Sequence, residues 1–131
     1  MRLQPQQSAD RPCVGLGVTG GIAAYKAAEL TRLLVKAGIE VHVIMTRNAA
    51  KLVQPRTFLT LSRQQVTTDL WDIPAWEPYH TELADRMDLL AVAPATANII
   101  AKAANGIADD ALSTTLLAFD GPTIFAPAMN P

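Results

Sequence analysis

Cysteine occurs only once in this 131-residue sequence, at Cys13, so no internal disulfide can form. Cys13 opens an apolar stretch and reads as a small core residue rather than a reactive thiol. Aromatic residues are also scarce, at 5%, although half the sequence is hydrophobic. The core must then be built from Ala, Leu, Val and Ile, the balance expected of Ala-rich helices packed on an aliphatic sheet. No charge of one sign dominates: 11 Lys and Arg stand against 12 Asp and Glu, for a net charge of −1. With no basic block, nothing points to nucleic acid or an anionic membrane surface as a partner. Apolar runs such as Leu89 to Pro94 are far too short to span a bilayer. Met1 to Pro12 is polar and lacks the apolar centre of a signal peptide. The expectation is a disordered lead-in over residues 1–12, one domain over residues 13–131, and a cytoplasmic location.

Hydrophobic spacing orders the elements. Cys13 to Val18 is a short apolar run ending at Thr19-Gly20-Gly21 and reads as a strand. Ile22 to Ala37 has helical spacing, with Ile22, Ala23, Ala27, Leu30, Leu34 and Ala37 on one face, and Gly38 stops it. Glu40 to Met45 alternates and is β-branched, which predicts a second strand. Strand, helix and strand in about 30 residues form a βαβ unit with a right-handed crossover. Ala49 to Leu61 reads as a helix divided at Pro55, and Gln65 to Thr68 as a short edge strand. Leu70 to Tyr79, with Trp71 and Trp76, reads as an irregular loop, followed by a helical turn from Thr81 to Arg86. Asp88 to Ala93 is almost continuously apolar, as a strand buried on both faces should be. Thr96 or Asn98 can cap the next helix, and Asp109 or Asp110 the one after it. Thr123 to Ala126 is the last strand. The order predicts a flavodoxin-like α/β fold, a doubly wound parallel sheet in a Rossmann-like three-layer α/β/α arrangement.

Residues with usable chemistry gather where strands should end, the place where open α/β sheets hold ligands. Gly15-x-Gly17-x-x-Gly20-Gly21 has two readings: a phosphate cradle at a helix N-terminus, or close strand–helix packing. An NAD site would want an acid after the second strand, but Met45-Thr46-Arg47-Asn48 stands there. NADP through Arg47 is a minor alternative; Thr46 and Asn48 fit hydrogen bonds to a flavin phosphate or ribityl chain. His42 lies within a strand and reads as a neutral core residue. His80 follows the Trp/Pro loop; its position suits a general acid–base group and a plain surface residue equally. Thr96 and Asn98 can cap a helix and still leave backbone N–H groups for an anion. The carboxamide of Asn130, after the last strand, could hold a carboxylate or a flavin edge.

As a set, these residues resemble the homo-oligomeric flavin-containing cysteine decarboxylases, the family that includes the phosphopantothenoylcysteine decarboxylases of coenzyme A biosynthesis. The resemblance runs from about Val14 onward. It is carried by Gly17-Val-Thr-Gly-Gly-Ile-Ala-Ala-Tyr-Lys26, Val43-Ile-Met-Thr46, Thr57-Phe58 with Leu61-Ser62, His80-x-x-Leu83-Ala84, Pro94-Ala-Thr-Ala-Asn98, Ala104-Asn-Gly-Ile-Ala-Asp-Asp110 and Pro127-Ala-Met-Asn130. It implies FMN held between subunits of a homotrimer, which can assemble further into a dodecamer. Gly20, Gly21 and Ile22 would line the phosphate side with Thr46, Asn48, Thr96, Ala97 and Asn98. Ala128 would approach the flavin ring. His80 would be the acid–base group, and Asn130 would bind the substrate carboxylate. In the family, flavin oxidises the substrate's cysteine moiety to a thioaldehyde-like species, carbon dioxide leaves to give an enethiol, and the reduced flavin returns the electrons. The protein positions the substrate; the cofactor carries the difficult chemistry.

The resemblance also implies a departure. In the family, Pro-Ala-Met-Asn continues into more helix and strand and a substrate clamp bearing a cysteine, whereas here Pro131 follows Asn130. Cys13 lies at the other end and cannot be assigned that role. The expectation is a domain without its C-terminal clamp, whose reaction stops at the enethiol. The ligase that joins cysteine to phosphopantothenate using CTP is implied as a partner. Two alternatives to phosphopantothenoylcysteine decarboxylation stay open: a non-catalytic FMN-binding or regulatory module, and a peptidyl-cysteine decarboxylase. No metal is implied.

Overall fold

The computed structural model describes residues 11–69 and 79–128. The lead-in up to residue 10, the loop containing Trp71 and Trp76, and Asn130 lie outside the described residues. The elements in order are β1 (Cys13–Val18), α1 (Ala24–Lys36), β2 (Glu40–Met45), α2 (Arg47–Leu52), α3 (Pro55–Ser62), α4 (Tyr79–Arg86), β3 (Leu89–Ala95), α5 (Ala97–Asn105), α6 (Ala111–Ala118) and β4 (Thr123–Pro127). The four strands form one sheet in the order β2-β1-β3-β4, and every pairing is parallel. This is the flavodoxin-like arrangement expected from the element order. The anticipated edge strand is reduced to one bridge, Thr67 beside Ile44, closed by two backbone hydrogen bonds to β2.

Strand alternation divides the side chains between two cores. Leu16 and Val18 of β1 join Val41, Val43 and Met45 of β2 against α1, α2 and α3, where Phe58 is fully buried. Burial of a Phe side chain of this kind contributes about 1.5–3 kcal/mol. On the other face, Cys13, Ile44, Leu90 and Val92 pack with Leu83, Met87, Ile99 and Leu112 from the α4, α5 and α6 region. The central strands are buried on both faces, so their sequences are apolar throughout.

Gly15 and Gly17 point to the second face, and their lack of a side chain is what lets the helical layer approach. A Cβ at Gly15 would lie 2.1 Å from Met87 Sδ, and one at Gly17 would lie 2.6 Å from Leu112 Cδ1. These two glycines of the Gly-rich run therefore serve close packing, and only Gly20 and Gly21 remain for a ligand.

Helix boundaries follow their caps. Thr46 accepts from Ala49 N–H at 3.2 Å, and Thr96 from Ile99 N–H at 3.4 Å. Asp110 accepts from Ser113 N–H at 2.8 Å while the Ser113 hydroxyl accepts from Asp110 N–H at 3.0 Å, a reciprocal capping box. Pro55 starts α3 at a position where a missing N–H costs nothing, which explains the division of the anticipated helix. Gly38 follows α1 at φ +90°, as a helix stop requires. The expected face fails at both ends: Ala37, the C-cap of α1, is exposed, and Ile22 is not on the buried face but is 78% exposed. Gly21 N–H bonds Thr19 O, and Ala24 N–H bonds Gly21 O, so a turn precedes the helix and carries Ile22 outward. The buried stripe is Ala24, Ala27 and Thr31 instead, with Leu30 and Leu34 beside it.

Near the N-terminal ends of the strands, three unusual side chains share the second face. Glu40, His42 and Cys13 are all buried. The Glu40 carboxylate accepts from Arg86, and from Arg11 at 3.4 Å, and lies 2.5 Å from His42 Nε2. Burial pushes the His42 pKa down, against the opposing pull of Glu40, and pushes the Cys13 thiol up to about 11. Cys13 and His42 are thus the core residues that their strand positions implied. Contacts with the sheet begin before Cys13, because Pro12 O accepts from Glu40 N–H at 2.8 Å.

The helix–sheet contact at Gly17 is directly testable. Gly17→Ala is expected to destabilise the protein by about 1–3 kcal/mol, because the added methyl overpacks Leu112. Urea unfolding should show a lower midpoint with an unchanged slope, and Leu112→Ala should absorb part of the cost in a double-mutant cycle. An unchanged midpoint for Gly17→Ala would contradict this packing.

Candidate functional site

Because every strand runs the same way, the segments after β1, β2, β3 and β4 emerge along one rim. The chain leaves β1 toward β2 on one side and enters β3 on the other, so the switch point of the sheet lies between β1 and β3. Thr19 stands there, almost fully buried. Its hydroxyl donates to Pro94 O at 2.6 Å and accepts from Thr96 N–H at 3.1 Å. One side chain thereby ties the turn after β1 to the end of β3.

Beside this link opens a cleft of about 510 Å³, lined by Thr19, Gly20, Thr46, Arg47, Asn48, Thr68, Asp69, Thr96, Asn98, Lys102 and Asp110 among others. The N-caps of α2, α5 and α6 (Thr46, Thr96 and Asp110) all border it. The wall is mostly hydroxyl, amide and backbone, well suited to a ligand rich in oxygen atoms. Gly20 makes the closest backbone approach: a Cβ there would lie 2.5 Å from Asn48 Cβ and 3.2 Å from the Asn48 carbonyl carbon.

The charges around the cleft are not equivalent. Lys102 Nζ lies 2.8 Å from Asp109 Oδ1 and 3.5 Å from Asp110 Oδ2. The Asp109 bond leads in raising the Lys102 pKa, and the same bond lowers that of Asp109. Arg47 also lines the cleft and has no ion-pair partner among the described residues. It is a cation already placed for an incoming anion.

Gly21 borders a different space. A Cβ built on it would meet Ala128 O at 3.5 Å and Pro94 Cγ at 3.6 Å. Ala128 and Pro94 line an adjacent, mainly apolar cavity of about 290 Å³ with Ala23, Lys26, Ala27 and Ala126. The rim thus joins a polar cleft to an apolar recess at Gly20-Gly21, and could hold a molecule that is anionic at one end and flat and apolar at the other.

The structure gathers Gly20, Thr46, Asn48, Thr96 and Asn98 of the anticipated site residues around the polar cleft. Gly21 and Ala128 face each other on the apolar side. Ala97 is the first residue of α5 and lines neither space, and Ile22 points to solvent. His80 belongs to α4, whose chain runs down to the start of β3. Asn130 lies outside the described residues. Sequence reasoning missed Thr68, Asp69 and Lys102 as cleft residues. Thr68 and Asp69 follow the short pairing at Thr67, a signal the expected edge strand already contained. Lys102 reaches the cleft through a bond to the next helix cap, for which no local pattern exists.

Comparison with known proteins agrees with this fold. The sequence model of the family described as Flavoprotein matches residues 2–131. The chain is 55% identical to the coenzyme A biosynthesis bifunctional protein CoaBC of Bacillus subtilis (strain 168) over 116 residues, 88% of this chain and 29% of that protein. It is 48% identical to the CoaBC protein of Borreliella burgdorferi over 115 residues, again 88% of this chain and 30% of the relative. The chain therefore spans less than a third of the length of these relatives. Among solved structures, the FMN-dependent cysteine decarboxylase SpaF aligns with a TM-score of 0.83 and 36% identity, over 94% of this chain and 71% of that one. A mutant PPC decarboxylase complexed with pantothenoylaminoethenethiol aligns with a TM-score of 0.77 and 30% identity, over 92% and 68% of the two chains. A match along nearly the whole sequence, joined to a shared parallel sheet, places this chain in the Flavoprotein family.

Proposed function

We propose that the rim binds FMN and that the domain decarboxylates 4'-phosphopantothenoylcysteine to 4'-phosphopantetheine in coenzyme A biosynthesis. The 55% identity to a CoaBC protein, over 88% of this chain, carries this reading. Identity to the FMN-dependent cysteine decarboxylase SpaF is lower, at 36%, which favours the coenzyme A reading.

The residues present fit FMN. Its phosphate would lie in the polar cleft near Gly20, with Arg47 as the counter-charge and Thr46, Asn48, Thr96 and Asn98 as hydrogen-bonding groups. Backbone N–H groups at the start of α5 add donors; Ala97 contributes through this turn rather than through its methyl group. The flat ring would extend past Gly21 toward Ala128 and Pro94, where the wall is apolar. Ile22, exposed beside Gly21, would act from the protein surface rather than from within the cleft.

When bound, FMN would supply reversible two-electron chemistry, so the net reaction would need no nicotinamide. The chain's own groups would bind, orient and move protons. His80 would hold or deliver the proton exchanged at the substrate thiol or the adjacent carbon. Asn130 would direct its amide N–H to the substrate carboxylate and keep it oriented until cleavage. The exposed apolar side chains of Ile22 and Tyr25, at the start of α1, fit a subunit contact, and a homotrimer or its dodecameric assembly is the proposed state. The CTP-dependent ligase is the proposed functional partner, with residues 13–131 as a single FMN-binding domain in the cytoplasm. No helix among the described residues is long and apolar enough to cross a membrane.

The purified protein is expected to be yellow and to convert phosphopantothenoylcysteine to a product lighter by carbon dioxide, read by mass spectrometry. Unchanged substrate beside bound FMN would contradict the enzymatic reading and favour a binding module. Gly20→Ala should push Asn48 out of place and weaken FMN binding at least about tenfold, measured by quenching of flavin fluorescence. His80→Asn should keep the FMN affinity but slow decarboxylation by about a hundred- to ten-thousand-fold. An unaltered rate would remove His80 from the chemistry.

A further inference from the structure

At the end of the sheet remote from the cleft lies a group of side chains that the proposed flavin chemistry does not use. Register pairs Cys13 with Glu40 and Gly15 with His42 across β1 and β2. Alternation then sends Cys13, Glu40 and His42 to one face, where all three are buried. One ligand atom of each (Sγ, a carboxylate oxygen and an imidazole nitrogen) lies within 4.8 Å of the other two.

From this geometry we propose that Cys13, Glu40 and His42 form a binding site for a thiophilic divalent cation of the zinc class. A thiolate, an imidazole and a carboxylate are the donors such an ion takes, at about 2.0–2.3 Å each. Donors at those distances around a tetrahedral centre stand roughly 3.3–3.8 Å apart, so the group needs only small side-chain adjustments. His42 Nε2 and Glu40 now lie 2.5 Å apart, and the cation would enter between them. Residues on neighbouring strands of a rigid sheet hold such a set in place better than a loop would.

Charge also favours the ion. Thiolate and carboxylate together balance a divalent cation, and the thiol proton leaves to solvent as the metal enters. Glu40 already carries Arg86 and Arg11, which stabilise it when no metal is bound. Their side chains are 44% and 40% exposed, so the site borders water on that side. Met87 closes the site toward the core, its Sδ occupying the space above Gly15. A water molecule would complete the fourth position. The site lies at the opposite end of β1 from Thr19, about 20 Å along a six-residue strand, and does not depend on the flavin reading.

Tag-free protein would be dialysed against Zn²⁺ under a non-thiol reductant, and its zinc content and zinc-edge X-ray absorption measured. The expected result is stoichiometric zinc with one sulfur neighbour near about 2.3 Å and lighter N or O neighbours near about 2.0 Å. Cys13→Ser should remove the sulfur neighbour, and His42→Gln should weaken binding at least about tenfold. His80→Gln should retain the zinc, showing that the other histidine is not responsible. Absence of stoichiometric zinc in the unmodified protein, or a zinc shell without sulfur, would overturn the proposal whatever the variants do.

Discussion

The site depends on the parallel pairing of β1 with β3 and on the hydroxyl of Thr19 that closes it. Parallel strands release their following segments at one end of the sheet, and the switch of direction after β1 leaves a crevice there. A crevice between two loops would be poorly defined if each loop were held only by its own strand. Thr19 links them by donating to Pro94 O and accepting from Thr96 N–H, and it is buried while doing so. The two bonds satisfy a backbone acceptor and a donor, and they fix where α5 begins. The position of Thr96, and with it the N-terminal turn facing the cleft, follows from that link.

Close packing beneath the rim is the second requirement. A sheet with almost no aromatic side chains has little bulk to fill the space between layers, so its helices must come near. Gly15 and Gly17 permit this on one face, where Met87 and Leu112 occupy the positions their Cβ atoms would take. On the other face, Ala24 and Ala27 bring α1 against Leu16 and Val18. The same economy reaches the rim at Gly20, where the first turn touches Asn48. Packing and ligand recognition thus divide one Gly-rich run: its first half sets the layer spacing, and its second half shapes the cleft.

Much of this was legible in the sequence because the fold is built from local signals. Apolar strands, Pro55, Gly38 and the caps Thr96 and Asp110 each announce an element through short-range chemistry. Parallel strand pairing was readable from the βαβ spacing, and five of the anticipated residues fall together around one cleft because strand ends share a rim. What escaped was set by contacts distant in sequence. Ile22 has helical spacing, but the turn closed by Gly21 and Ala24 turns it outward. The two readings of Gly15 and Gly17, phosphate cradle or close packing, stayed open because their partners, Met87 and Leu112, are some 70 and 95 residues further along the chain. Lys102 enters the cleft through Asp109 and Asp110, a pairing that no periodicity records.

The central claim is that the polar cleft beside Thr19 holds the phosphate of FMN while Gly21 and Ala128 flank its ring. A crystal structure of the protein with FMN tests it most directly. The account predicts the phosphate within hydrogen-bonding distance of the Gly20 turn and the Thr96 turn, with the ring lying along Pro94 and Ala128. Well-ordered FMN bound elsewhere, with the cleft between Thr46 and Thr96 filled only by water, would contradict it.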